Sequence, residues 1–288
     1  GTSMRSRVMA LGDRSLCGNY SSVKAAGNLE ITDSTIKKLS CAGDVTITKS
    51  KIGKFRCAGN IEGDASYFAD LKHAGSINLK GVCQGGTITI KGVALVDLLD
   101  CKILRNGFIG NRVKVMSSDE GVSWNGSFKA DTFENTSFIN LDFEYDFKSI
   151  INVSVLHSKK EIICENFYNF NELNVPEING ENIFILTRDE IKINQLVGSN
   201  VIIQSQFTPD KLYRNIPKSI SNKKIAGEKN IVKVKNIEAD KIHIEYTKSD
   251  LVSGQDVIIG DLCIIDRVEY SNRLRISDKA VVNEVIKL

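Results

Sequence analysis

The sequence predicts an all-β chain coiled into a β-solenoid, and three observations predict it. First, one short phrase recurs at a fixed interval: Ala26-Gly27-Asn28, Ala42-Gly43-Asp44, Ala58-Gly59-Asn60 and Ala74-Gly75-Ser76, each 16 residues after the last. Second, apolar or small residues recur in columns at the same period. The columns are Val23, Leu39, Phe55, Leu71, then Ala25, Cys41, Cys57, His73, then Leu29, Val45, Ile61, Ile77, then Ile31, Ile47, Gly63, Leu79, and last Ile36, Ile52, Phe68. Third, within a rung the first two pairs of columns each lie two residues apart, the period at which alternate strand side chains share a face. A unit of 16 residues is too short for a domain or a helix pair. It is one rung of a stack, about three short strands joined by bends, with like residues about 4.8 Å apart in successive rungs. Regular hairpins in a small antiparallel sheet would also repeat, but they need a reversal in every rung, and no alternation of turn type is visible. The recurring glycine is expected to turn the corner at positive φ.

Residues 1–15 form a leading tail, in which Gly1-Thr2-Ser3 ahead of Met4 reads as an expression scar. Residues 16–104 form an N-terminal solenoid arm. Past Gly81 the register blurs; 87–90 still reads as strand, and 93–104 fits either a degenerate rung, which we favour, or a short buried helix. Residues 105–165 read as an irregular β-rich connection holding Trp124 and an alternating stretch at 141–147. Residues 166–288 form a C-terminal arm. Ile178, Ile183 and Ile185 are echoed by Leu196, Val201 and Ile203, with corners at 179–180 and 197–198. A polar stretch at about 204–230 is too long for a rung and reads as an inserted loop. Ile237, Val252, Val268 and Val285 then start successive turns, with Ile242/Ile244, Val257/Ile259 and Leu274/Ile276 on the next face. No capping helix is read at Ile286-Lys287-Leu288, so a solenoid edge is expected to seek a partner there.

With 38 basic and 35 acidic residues the net charge is +3, near balance, so neither nucleic acid nor a membrane surface is expected as a partner. No apolar run has the length of a membrane span, and no secretory leader is read. The seven cysteines, Cys17, Cys41, Cys57, Cys83, Cys101, Cys164 and Cys263, form no CxxC pair. A reduced, cytoplasmic setting is expected.

Three constellations are candidate sites. Cys41 and Cys57 would share an interior ladder with His73, and two thiols with an imidazole are zinc-ligand types. Buried cysteine also packs as a small hydrophobe, so no metal or cofactor is expected. Asp142, Glu144 and Asp146 form an acidic row opposite Leu141, Phe143, Tyr145 and Phe147. Such a row could bind calcium or serve a polysaccharide-cleaving β-helix, and it is also what a half-exposed strand shows. Lys211, Arg214, Lys218, Lys223, Lys224 and Lys229 form a basic loop that is either solvated or a contact for a phosphate-rich partner. His73, His157 and His243 have no evident acid or nucleophile partner. No phosphate-cradling loop, Gly-x-Ser-x-Gly or HExxH motif occurs, so no catalytic residue is assigned.

The rungs of the first hundred residues resemble those of the bactofilins, bacterial polymer-forming cytoskeletal proteins. The stretch Ile237-Glu238-Ala239-Asp240-Lys241-Ile242-His243-Ile244-Glu245, with Val257-Ile258-Ile259-Gly260, Val268-Glu269-Tyr270 and Val285-Ile286-Lys287, looks like the tail of bactofilin-like proteins of Gram-positive bacteria. The likeness spans roughly 16–100 and 165–288. It implies a non-enzymatic cytoplasmic scaffold that self-associates without nucleotide through its solenoid ends, or presents a long face to protein partners. Two arms and an irregular middle depart from the compact bactofilin. The alternative is a carbohydrate-binding or polysaccharide-cleaving right-handed β-helix using the acidic row.

Overall fold

A computed structural model of the chain describes residues 7–108, 122–208 and 224–288. These residues are all-β with no helix, and their parallel sheet forms a β-solenoid of about 15 turns spaced about 17 residues apart. Among the described residues no helix is long and apolar enough to cross a membrane. The chain divides into two compact units, Gly1–Phe138 with Phe143–Phe147, and Ile139–Asp142 with Lys148–Leu288.

In the first unit, Asn19–Ala25, Thr35–Cys41, Lys51–Cys57 and Tyr67–Ala74 stack in parallel, as do Leu29–Thr32, Val45–Thr48 and Ile61–Asp64. The predicted columns are the observed register: Val23 pairs with Leu39, Leu39 with Phe55, and Phe55 with Leu71. The members of that column are all buried. Each rung has two strands where three were expected. The longer one bends internally, because its alternation slips a step at the exposed pair Lys37 and Lys38. Three faces therefore still enclose the core, one carrying Ile36, one Leu39 and Cys41, and one Val45 and Ile47.

The corners depart from the sequence reading. Gly27, Gly43 and Gly59 have no positive φ; of the four repeated glycines only Gly75 does, at +133°. What excludes a side chain is close approach. A Cβ on Gly43 would stand 2.6 Å from both Asn28 Oδ1 and the Gly27 carbonyl oxygen. The left-handed turn lies elsewhere, at Asp33, Lys49 and Ala65 (φ 46°, 48° and 46°), with Gly81 next in that column at 62°. Two hydrogen-bonded ladders seal these corners. Backbone N–H groups of Asn28, Asp44 and Asn60 donate to the carboxamide or carboxylate oxygens of Asp13, Asn28 and Asp44 at 2.8–2.9 Å. The buried Ser50 Oγ accepts the Ser34 N–H at 3.0 Å and donates to the Thr48 carbonyl at 2.8 Å. These bonds answer backbone groups that a bend would otherwise leave unpaired.

The helix option at 93–104 is excluded: Val93–Asn106 is a strand that pairs in parallel with Ile77–Lys91. The described part of the region expected to be irregular, 105–165, is also built of rungs. Ser123–Asn135 stacks on Val93–Asn106. Its core is aromatic, with Trp124 stacked on Phe128 at 5.1 Å and Phe133 on Phe147 at 4.7 Å.

In the second unit, the residues from Ser149 to Asn152 pair with Asn166–Asn169, and the stack continues through Leu173–Leu186, Ile191–Gln204, Val232–Ile244, Thr247–Ile259, Ile264–Ile276 and Val281–Lys287. Ile237, Val252, Val268 and Val285 pair in succession, as the spacing predicts. Asn200 donates to Asn182, and Asn182 to Asn166, each at 2.9 Å, forming an amide ladder along one edge. The insertion is present too: Gln206–Phe207 and Ile225–Ala226 pair antiparallel at its base. Phe207 is fully buried on the outer face of the coil, where it meets Phe170 and Phe184 at ring distances of 5.0 and 5.1 Å.

Candidate functional site

Cys41, Cys57 and His73 do stack in one column, but their atoms are turned to the backbone. Cys41 Sγ lies 3.1 Å from the Gly27 carbonyl, and Cys57 Sγ 3.2 Å from that of Gly43. Burial pushes the Cys57 thiol up to about 12, with the adjacent Cys41 adding to the rise, and burial raises Cys41 as well. Both stay protonated at neutral pH, the unreactive form for a nucleophile. The His73 nitrogens lie 3.2 Å from the Cys57 carbonyl and 3.1 Å from that of Ser76. Burial lowers its pKa, against two hydrogen bonds that favour the cation. Among the described residues no group of three or more His, Cys, Asp or Glu side chains could hold a metal. Cys41 and His73 are buried in this column and Cys57 is half-buried.

Asp142, Glu144 and Asp146 are exposed, while Leu141, Phe143 and Phe147 are buried. Strand begins only at Glu144, whose carboxylate accepts the Ser127 hydroxyl at 2.8 Å. Of the basic loop, Lys211, Arg214, Lys218 and Lys223 lie outside the described residues, and Lys224 and Lys229 are exposed. The histidine reading needs correction at one position. His157 Nε2 is 3.1 Å from Glu172 Oε1, an acid partner supplied by the next rung and hidden by a separation of 15 residues in sequence. His243 Nδ1 accepts from the Gln204 amide at 3.1 Å.

The feature that sets one part of the coil apart is its C-terminal edge. Upstream, Val257 and Ile259 are buried at 1% exposure, and Val268 at 0%. Ile276 and Val285, the column partners of Ile259 and Val268, are 41% and 47% exposed. The columns continue in sequence here, but no further rung covers them in the described chain. Comparison with protein-family models, curated proteins and solved structures finds no match to this chain.

Proposed function

We propose that this chain is a non-enzymatic structural protein, a bactofilin-like scaffold that associates with further copies of itself through the edge rung Val281–Lys287. The observation that carries the reading is the exposure of Ile276 and Val285 within columns whose preceding members are buried. Covering the exposed half of each such side chain gains about 1 kcal/mol. Pairing along the strand would also satisfy its open row of N–H and C=O groups. The rung pairings from Ser149 to Lys287 among the described residues are parallel, with apolar columns in line, so another rung edge of the same sequence offers both the hydrogen bonds and the columns. A structural role is supported by interior polar groups that hold rung to rung, such as Ser50 with the Ser34 N–H and Asn152 with Asn169.

Sedimentation velocity over a concentration series, with electron microscopy of the same samples, tests the proposal. Mass should rise with concentration and fall back on Val285→Lys. A strict monomer at high micromolar concentration overturns it.

A further inference from the structure

A cleft of about 430 Å³ lies on the outer face of the second unit, lined by residues of six successive rungs. Two outward columns line it. One runs through Asn182, Asn200, Lys241, Asp256 and Arg273; the other runs through Ile202, His243, Ile258 and Arg275. The first column spans four rung spacings, about 19 Å, which an extended peptide covers in about six residues.

The chemistry along the cleft is not uniform. Three cationic side chains, Lys241, Arg273 and Arg275, face one carboxylate, Asp256. That carboxylate is already engaged, accepting from Asn272 Nδ2 at 2.7 Å and Arg273 Nε at 3.3 Å. Among the described residues, Lys241 and Arg275 have no ion-pair partner. Their backbone positions are two rungs and one column apart, about 10 Å or more, a spacing that suits two separate carboxylates. Beside them Ile202 and Ile258 offer half-buried apolar ledges. Burial favours the neutral form of His243, which therefore adds little positive charge near neutral pH. The one aromatic in the lining, Tyr168, is 1% exposed, so no ring is presented as a platform for a sugar.

We infer that this cleft binds an extended acidic peptide segment of a partner protein, with carboxylates on Lys241 and Arg275 and apolar side chains on Ile202 and Ile258. Such a ligand matches the spaced cations, the apolar ledges and the length together. An acidic polysaccharide matches the charges alone.

Fluorescence anisotropy of the full chain tests the inference, with a labelled peptide of that length alternating glutamate and leucine. The wild type should bind it, and added salt should weaken binding. Lys241→Glu with Arg275→Glu should weaken it by about tenfold or more. Lys233→Glu with Lys248→Glu makes the same charge change on another face and should leave binding intact. All four side chains are exposed, and an unchanged Tm verifies folding. The inference is overturned if the peptide does not bind, if both double variants lose it equally, if a glutamine–leucine peptide binds as well, or if a labelled oligouronate binds in its place.

Discussion

Asn28 and Gly43 are one device in two residues. The Asn28 carboxamide oxygen accepts the N–H of Asp44 at 2.9 Å, and it stands 2.6 Å from where a Cβ on Gly43 would be. The glycine leaves the space and the asparagine of the previous rung uses it. Gly43→Val therefore destabilises the first unit by about 3 kcal/mol, an overpacking cost. Asn28→Ala costs about 1 kcal/mol, the value of one exposed cap. Joining the changes does not rescue the valine, because the Gly27 carbonyl is equally close. Chemical denaturation of the two single variants and the double variant measures all three.

The left-handed corner yields the opposite sign. Ala65 sits at φ 46° with a Cβ, and the next member of its column, Gly81, has none. Left-handed backbone costs an L-residue about 1–2 kcal/mol, part of which the extra freedom of unfolded glycine takes back. Ala65→Gly is expected to stabilise the fold by about 0.5–1 kcal/mol. The same change at Ala25, whose φ is not positive and whose side chain is buried, should destabilise. Thermal melts of the two variants separate the cases.

Columns at constant offset were readable because period and register coincide. The pairs Leu39 with Phe55 and Val252 with Val268 needed only counting. The middle was not readable for the same reason. Ala94 pairs with Trp124 and Leu196 with Ile237, offsets of 30 and 41 residues, so intervening chain breaks the count. The corner glycines were visible but their cause was not, since φ and close approach leave the same letter in a sequence. The outward column Ile151, Tyr168, Phe184 was hidden too. Outward positions are normally polar, and only the insertion laid over them makes apolar residues fit. The cleft side chains looked like ordinary surface charge, because a column of outward residues from five rungs has no signature within any one of them.

Acid should weaken the first unit through His73. Its folded pKa is lowered from 6.5 by burial. Above pH 6.5 the side chain is neutral in both states and costs nothing. As pH falls below 6.5 the unfolded chain takes up a proton that the fold resists, so stability declines until the folded pKa is reached. His73→Val should flatten the stability profile over that window, measured by urea unfolding at pH 7 and pH 5. An unchanged slope would show that His73 is not the group responsible.

Thiol chemistry should be confined to one position. Cys17 is exposed. Burial pushes Cys57, Cys101 and Cys164 up to about 12 and Cys263 to about 11. Thiolate is the reacting form, so Ellman's reagent should titrate one thiol quickly in the native protein and all seven in denaturant. Cys17→Ser should abolish the fast phase.

The insertion is pinned where it leaves the coil, and Phe207 is the pin. Its ring is fully buried against Phe170 and Phe184 on the outer face, while Arg188 holds Glu228 at 3.6 Å across the base of the insertion. That ion pair is partly exposed and worth at most about 1 kcal/mol. Phe207→Ala removes a full aromatic packing and is expected to cost about 3–5 kcal/mol. The loss should be local in character. Tyr168 and Phe184, buried at 1%, become accessible when the ring is removed, whereas inward columns such as Ile185 and Ile203 keep their rung partners. Hydrogen exchange should then show loosened amides at 206–207 and 225–226, with protection retained at 183–185. Equal loss at both would mean that the outer cluster and the coil interior unfold as one.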